Sequence, residues 1–145
     1  MTVLDAQALL GYLRHEPAAP LVARLLREGS TISAVNVAEV LDVLTRVFGA
    51  DADEVSADIG LLQLGGLAVS PPDAQTAFAA GRIRASQYHR TRRPISLADA
   101  FAAATARALS ASLATADAAL ADAVLADGGE VIDLPDSAGR RTTRG

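Results

Sequence analysis

Short apolar runs recur along this chain, each followed by a segment with helical spacing, and that alternation restricts the fold more than any other feature. Thr2-Val3-Leu4, Thr31-Ile32-Ser33, Leu67-Ala68-Val69, Leu113-Ala114-Thr115 and Glu130-Val131-Ile132-Asp133 are the strand-like runs. Between them lie helical patterns: Leu9, Leu10 and Leu13, then Leu21, Val22, Leu25 and Leu26 up to Gly29. Val37, Val40, Leu41, Leu44 and Phe48 follow, ended by Gly49, then Val55, Ile59 and Leu62, closed by Gly65-Gly66. Further helices are expected from Pro72 towards His89, from Ser96 to about Ser110, and from Ala118 to Ala126. Strands of three or four residues without polar alternation are buried on both faces, so the expectation is an α/β fold, a parallel sheet with helices on both faces. At 145 residues the chain has room for one such domain, placed at 1–135. The polar, Arg-bearing stretch 136–145 is expected to be a disordered tail.

Composition narrows the chemistry. The chain has no Cys, which removes disulfides, thiolate zinc sites, iron–sulfur clusters and Cys nucleophiles. All 13 basic residues are Arg. Without Lys there is no P-loop, no Schiff base and no Lys contact to a phosphoryl group. Aromatic residues make up only 3% of a chain that is 50% apolar, so the core must pack closely on Ala, Leu and Val. The start, Met1-Thr2-Val3-Leu4-Asp5, lacks a basic segment followed by a long apolar one, and the Ala-rich stretch Ala100 to Ala116 is broken by Arg107. A cytoplasmic protein with no membrane segment is therefore expected.

Four acids stand where a parallel sheet would gather them. Asp5 follows the first strand, and Asp117 follows the strand at Leu113 to Thr115, so both belong at the carboxyl edge of the sheet. Glu39 and Asp99 each lie about one turn into a helix and can reach that edge from its N-terminal end. Four carboxylates in one cleft repel one another unless a cation lies between them. Mg²⁺ or Mn²⁺ suits such a site, because hard divalent ions prefer oxygen ligands and retain waters that can act as nucleophiles. A purely structural reading stands beside this one. Ser96-x-x-Asp99 is a capping-box pattern, Asn36-x-x-Glu39 is close to one, and Asp5 and Asp117 could be simple N-caps.

The strings around these acids are Val3-Leu4-Asp5-Ala6-Gln7-Ala8-Leu9-Leu10, Asn36-Val37-Ala38-Glu39-Val40, Ser96-Leu97-Ala98-Asp99-Ala100 and Ala114-Thr115-Ala116-Asp117. In order, spacing and surroundings they resemble PIN-domain ribonucleases, and in particular the VapC-type toxins of bacterial toxin–antitoxin pairs. The resemblance runs from Thr2 to about Pro135. It implies a five-stranded parallel sheet with the first and fourth strands central, and an acidic Mg²⁺ or Mn²⁺ site that cleaves single-stranded or looped RNA. Asp5, Glu39, Asp99 and Asp117 then occupy the four acidic positions as metal-binding and catalytic residues. Thr115 and Asn36 match supporting polar positions. Ser33 and Gln7 are assigned structural roles, and Asp122 is read as a solvated helix acid.

From Ala74 to Ala98 there is no acid, while Arg82, Arg84, Arg90, Arg92 and Arg93 supply five of the 13 basic charges. Such a block can hold RNA phosphates or an antitoxin, or it can be a solvated helix end. His15 and His89 fit no arrangement of nucleophile, base and acid. The helix ending at Leu64 carries Val55, Ile59, Leu61, Leu62 and Leu64, more apolar surface than one core-facing stripe needs. The resemblance implies that a homodimer face or a cognate antitoxin covers it. Two further readings remain open. One is a Mg²⁺-dependent phosphatase or phosphotransferase with Asp5 as phosphate acceptor, against which the missing Lys counts. The other is a non-catalytic PIN-like module that holds RNA or a partner without cutting.

Overall fold

The computed structural model describes residues 1–142. Its strands are β1 (Thr2–Leu4), β2 (Ser30–Ser33), β3 (Ala68–Ser70), β4 (Ser112–Thr115) and β5 (Val131–Asp133). All pair in parallel in the order β3-β2-β1-β4-β5, so β1 is central with β2 and β4 on either side. The helices are α1 (Ala6–Leu13), α2 (Ala19–Glu28), α3 (Ala34–Asp42), α4 (Ala52–Leu64), α5 (Ala74–Gln87), α6 (Leu97–Ala108) and α7 (Ala118–Ala126). The α/β architecture expected from the alternation is the one observed.

Period-two alternation sends successive side chains of the central strands to opposite faces of the sheet, and helices cover both. Leu4, Ile32 and Ala114 face one side of the sheet, where they meet Leu9 of α1, Val22 of α2, Val40 of α3 and Ile59 of α4. Val3 and Leu113 face the other side and pack with Ile83 of α5, Leu120 of α7 and the alanines of α6. Ala100, Ala102, Ala103, Ala104 and Ala106 are all buried. Small side chains let α6 lie close to the sheet and to α5, and this close approach is how so aromatic-poor a chain fills its core.

Three local features differ from the pattern read off the sequence. The helix expected to run unbroken to Phe48 changes to a π-helical turn at Val43–Val47, with Leu44 still buried. The cap of α3 is Ser33, whose hydroxyl accepts from Val35 N at 3.2 Å, so Asn36 lies inside the helix. Ile59, counted among surplus apolar residues of α4, is core; Leu61 and Leu64 are the exposed ones. Of the segment expected to be a disordered tail, residues 136–142 are described and carry a turn in which Asp136 accepts from Ala138 N and Arg140 N. Residues 143–145 lie outside the described part. Among the described residues no helix is long and apolar enough to cross a membrane.

Candidate metal centre at the carboxyl edge of the sheet

Where β1 ends, Asp5 N donates to the Ala114 carbonyl, and the chain turns directly into α1. Asp5 caps that helix, its Oδ1 accepting from Ala8 N at 2.8 Å. Its Oδ2 accepts from the Thr115 hydroxyl at 2.5 Å, across the neighbouring strand. Thr115 Oγ1 in turn accepts from Asp117 N at 3.0 Å, so one hydroxyl ties the ends of β1 and β4 together. Asp117 caps α7, accepting from Ala119 N and Leu120 N. The side chains of Asp5 and Thr115 are thus fixed before any ligand arrives.

The other two acids come from helices on either side of the sheet. Asp99 Oδ2 accepts from Ser96 N at 2.9 Å, and Ser96 Oγ accepts from Asp99 N, a complete capping box. Glu39 Oε2 accepts from Asn36 Nδ2 at 3.4 Å, and the same amide nitrogen donates to the Ala98 carbonyl at 3.2 Å. Asn36 therefore joins α3 to the residue just before Asp99. Its Oδ1 is buried with no hydrogen-bond partner. Nothing in the sequence signals the Ala98 carbonyl as an anchor, because it is backbone and 62 positions away.

Asp5, Asp99 and Asp117 take part in helix caps and also act on one another electrostatically, while Glu39 lies inside α3. Burial raises the Asp5 carboxyl from its ordinary 3.8 to about 7; the hydrogen bonds from Thr115 and Ala8 oppose the rise, and the charges of Asp99 and Asp117 add to it. Asp99 is also held above the usual range, first by burial and then by the Asp117 charge. Glu39 is raised by burial, with Asp99 and Asp42 contributing and the Asn36 bond opposing. A helix cap needs no such destabilised carboxylates, since an exposed Asp serves as well, as Asp51 and Asp73 do at α4 and α5.

The donors at this edge are carboxylate, hydroxyl and amide oxygens, the set hard divalent ions select. The buried, unpartnered Asn36 Oδ1 is a further oxygen donor beside Glu39. This chemistry fits Mg²⁺ or Mn²⁺. As the side chains stand, each carboxylate rests on its own local partners, and among the described residues no group of three or more His, Asp or Glu is drawn close enough to hold an ion.

The Arg block divides in two. Arg84 Nε donates to the Ile95 carbonyl and its guanidinium lies 4.6 Å over Tyr88, while Arg93 Nη1 bonds Gln87 Oε1. Arg82, Arg90 and Arg92 are exposed. Arg90 and Arg92 lie in a tight loop closed by paired backbone bonds between His89 and Arg93, with His89 Nδ1 taking Thr91 N and Arg92 N. That loop leads through Ile95 into the cap of α6, beside Asp99. His89, which fits no triad, acts here as a loop brace. Asp122 is exposed on α7.

The PIN domain family model matches residues 2–124. The chain belongs to the PIN domain family. No curated protein matches this PIN domain by sequence. Among solved structures, FitAcB from Neisseria gonorrhoeae is similar over 91% of this chain and 96% of that one, with 26% identity and a TM-score of 0.66. VapBC2 from Rickettsia felis, bound to DNA from its promoter, is similar over 90% and 96%, with 16% identity and a TM-score of 0.67. VapC20 of Mycobacterium tuberculosis, a toxin that cleaves the sarcin–ricin loop, is similar over 85% and 95%, with 16% identity and a TM-score of 0.67. At 16% identity the last two show the shared fold.

Proposed function

We propose that this PIN domain is a metal-dependent endoribonuclease of the VapC toxin type, neutralised by a cognate antitoxin and active in the cytoplasm. The observation that carries the reading is the hydrogen-bonded chain Asp5, Thr115 and Asp117 at one sheet edge, whose buried Asp5 carboxyl is raised to about 7 by desolvation, with the charges of Asp99 and Asp117 adding to the rise. Asp5, Glu39, Asp99 and Asp117 would hold Mg²⁺ or Mn²⁺. When bound, such an ion supplies an activated water and stabilises charge on a phosphate. Thr115 keeps one Asp5 oxygen oriented by its hydrogen bond and holds the Asp117 backbone in register. Asn36 couples the approach of Glu39 to that of Asp99. No side chain needs to act as nucleophile, which suits a chain without Cys or Lys.

The resemblance of the strings around Asp5, Glu39, Asp99 and Asp117 to VapC-type toxins supports an antitoxin partner, and PIN membership supports RNA as substrate. Single-stranded RNA incubated with the purified protein and Mg²⁺ should yield shorter products. Binding without cutting would favour the non-catalytic module, and a phosphoryl group trapped on Asp5 would favour the phosphotransferase.

Arg90 and Arg92, exposed in the loop that precedes α6, would attract RNA phosphates. Changing both to Gln should raise KM roughly fivefold to tenfold at low ionic strength and leave kcat nearly unchanged, as expected when uniform binding is lost. The difference should shrink as salt rises, because screening already weakens these contacts. Equal KM values at low salt would place the RNA path elsewhere.

On the opposite side, Leu61 lines a 180 Å³ groove with Tyr12, Leu26 and Leu67, and Leu64 beside it is 86% exposed. A homodimer partner or antitoxin segment would cover this apolar face. Leu61→Asp with Leu64→Asp should lower the assembled mass in light scattering, or weaken inhibition by the antitoxin, at an unchanged melting temperature. Unchanged mass and inhibition would leave the face as ordinary surface.

A further inference from the structure

A second cavity of about 220 Å³ opens beside the carboxylate cluster and shares Asp117 with it. Gln7 and Gly11 of α1 form one side, Glu16 another, and Ala116 and the chain after Leu134 complete the walls. Gly11 makes the space: a methyl placed there would lie 3.7 Å from Ala18 Cβ and 3.9 Å from Glu16 Oε2. Glu16 faces this floor. His15 takes a left-handed φ of 55°, and Glu16 N donates back to the Gly11 carbonyl at 2.8 Å. Arg14 Nε lies 3.8 Å from Glu16 Oε1, and the Arg14 guanidinium is itself seated 3.3 Å over the Phe48 ring. Arg14 thus lies on the Oε1 side of the carboxylate, and Oε2 lies on the side of Gly11. Asp136 is occupied by Ala138 N and Arg140 N and serves as wall.

We propose that this cavity is a subsite for a guanine base next to the cleaved bond of an RNA substrate; the proposal rests on the endoribonuclease reading above. The space is of the order of one base, and single-stranded RNA is read by taking unstacked bases into pockets that bond their edges. Guanine alone among the four RNA bases presents two adjacent donors, N1–H and the 2-amino group, on its Watson–Crick edge. A carboxylate only accepts, so Glu16 matches that edge and leaves the edges of adenine, cytosine and uracil with an acceptor facing an acceptor. Gln7, exposed at the mouth, supplies an amide donor for guanine O6. Sharing Asp117 puts the base subsite and the carboxylate centre within one nucleotide of each other.

The test uses the full chain, wild type, Glu16→Gln and Gly11→Ala. Amide NMR spectra are recorded during titration with the four nucleoside 5′-monophosphates, and a random-sequence RNA pool is sequenced after incubation with Mg²⁺. Guanosine monophosphate should shift the Gln7, Gly11 and Ala116 amides and bind about tenfold more tightly than the other three. Cleavage should favour one position beside guanine. Glu16→Gln should abolish both preferences, because its amide can donate as well as accept. Gly11→Ala meets only ordinary contact distances, so it should fold and yet weaken guanine binding by shrinking the floor. Cleavage of the pool with no guanine preference, or a preference unchanged in Glu16→Gln, overturns the subsite and leaves the endoribonuclease reading standing. Guanosine monophosphate binding lost in Glu16→Gln, with no RNA cleavage by the wild type, keeps the subsite and overturns that reading. Shifts of the same amides by N-acetylarginine amide but by none of the nucleotides would assign the cavity to a protein side chain and overturn the proposal.

Discussion

Asp5→Asn is expected to lower RNA cleavage about a thousandfold and, at the same time, to make the metal-free protein more stable above pH 7. The two effects have one cause. The Asp5 carboxyl is raised from 3.8 to about 7 in the folded chain, so the native state holds a proton there that the unfolded state has already lost. Stability from this group is fully present below about pH 4 and disappears as pH rises through about 7. At pH 8 the folded apo-protein carries a buried charge that costs on the order of 2 to 4 kcal/mol. Asn removes that cost and still accepts from Ala8 N, although the Thr115 hydroxyl must find a new acceptor. The wild-type melting temperature should therefore fall between pH 5 and pH 8 more steeply than that of Asp5→Asn. Calorimetry across that range checks this. Parallel curves would mean that Asp5 is an ordinary cap.

Asp99 and Ser96 allow capping and chemistry to be separated. Asp99→Asn retains an oxygen to accept from Ser96 N but loses its charge, so it should lower cleavage at least about a hundredfold with little change in melting temperature. Ser96→Ala leaves the carboxylate and removes the hydroxyl that accepts from Asp99 N, costing about 0.5–2 kcal/mol of stability. Its activity, measured well below its melting temperature, should stay within a few-fold of wild type. If Ser96→Ala loses as much activity as Asp99→Asn, the position of the cap, and not the charge, is what matters at this corner.

The sheet and its helices could be read from the sequence because short two-sided apolar runs and 3.6-residue stripes are local patterns, and each survives in the folded chain. The gathering of Asp5 and Asp117 followed from topology alone, since every strand of a parallel sheet ends at the same edge. What escaped the sequence is non-local or depends on side-chain geometry. Asn36 looked like half of a capping box with Glu39, but Ser33 caps α3 and Asn36 reaches across to Ala98 on α6. The five arginines of one acid-free block looked equivalent, whereas Arg84 and Arg93 are engaged with Ile95, Tyr88 and Gln87 and leave Arg82, Arg90 and Arg92 exposed. The π-helical turn at Val43–Val47 has no marker in a stripe that continues smoothly to Phe48. Gly11 and Glu16 form a cavity only because His15 turns the chain back on α1.

The most direct measurement of the central claim is the initial rate of RNA cleavage as a function of free Mg²⁺ or Mn²⁺, for wild type and Asp5→Asn, each freed of metal by chelation beforehand. The account predicts no cleavage by either protein in chelator, a saturable rise in rate for the wild type on adding the divalent ion, and almost none for Asp5→Asn. Cleavage by the wild type that persists in chelator, or equal rates for the two proteins at saturating ion, would contradict it.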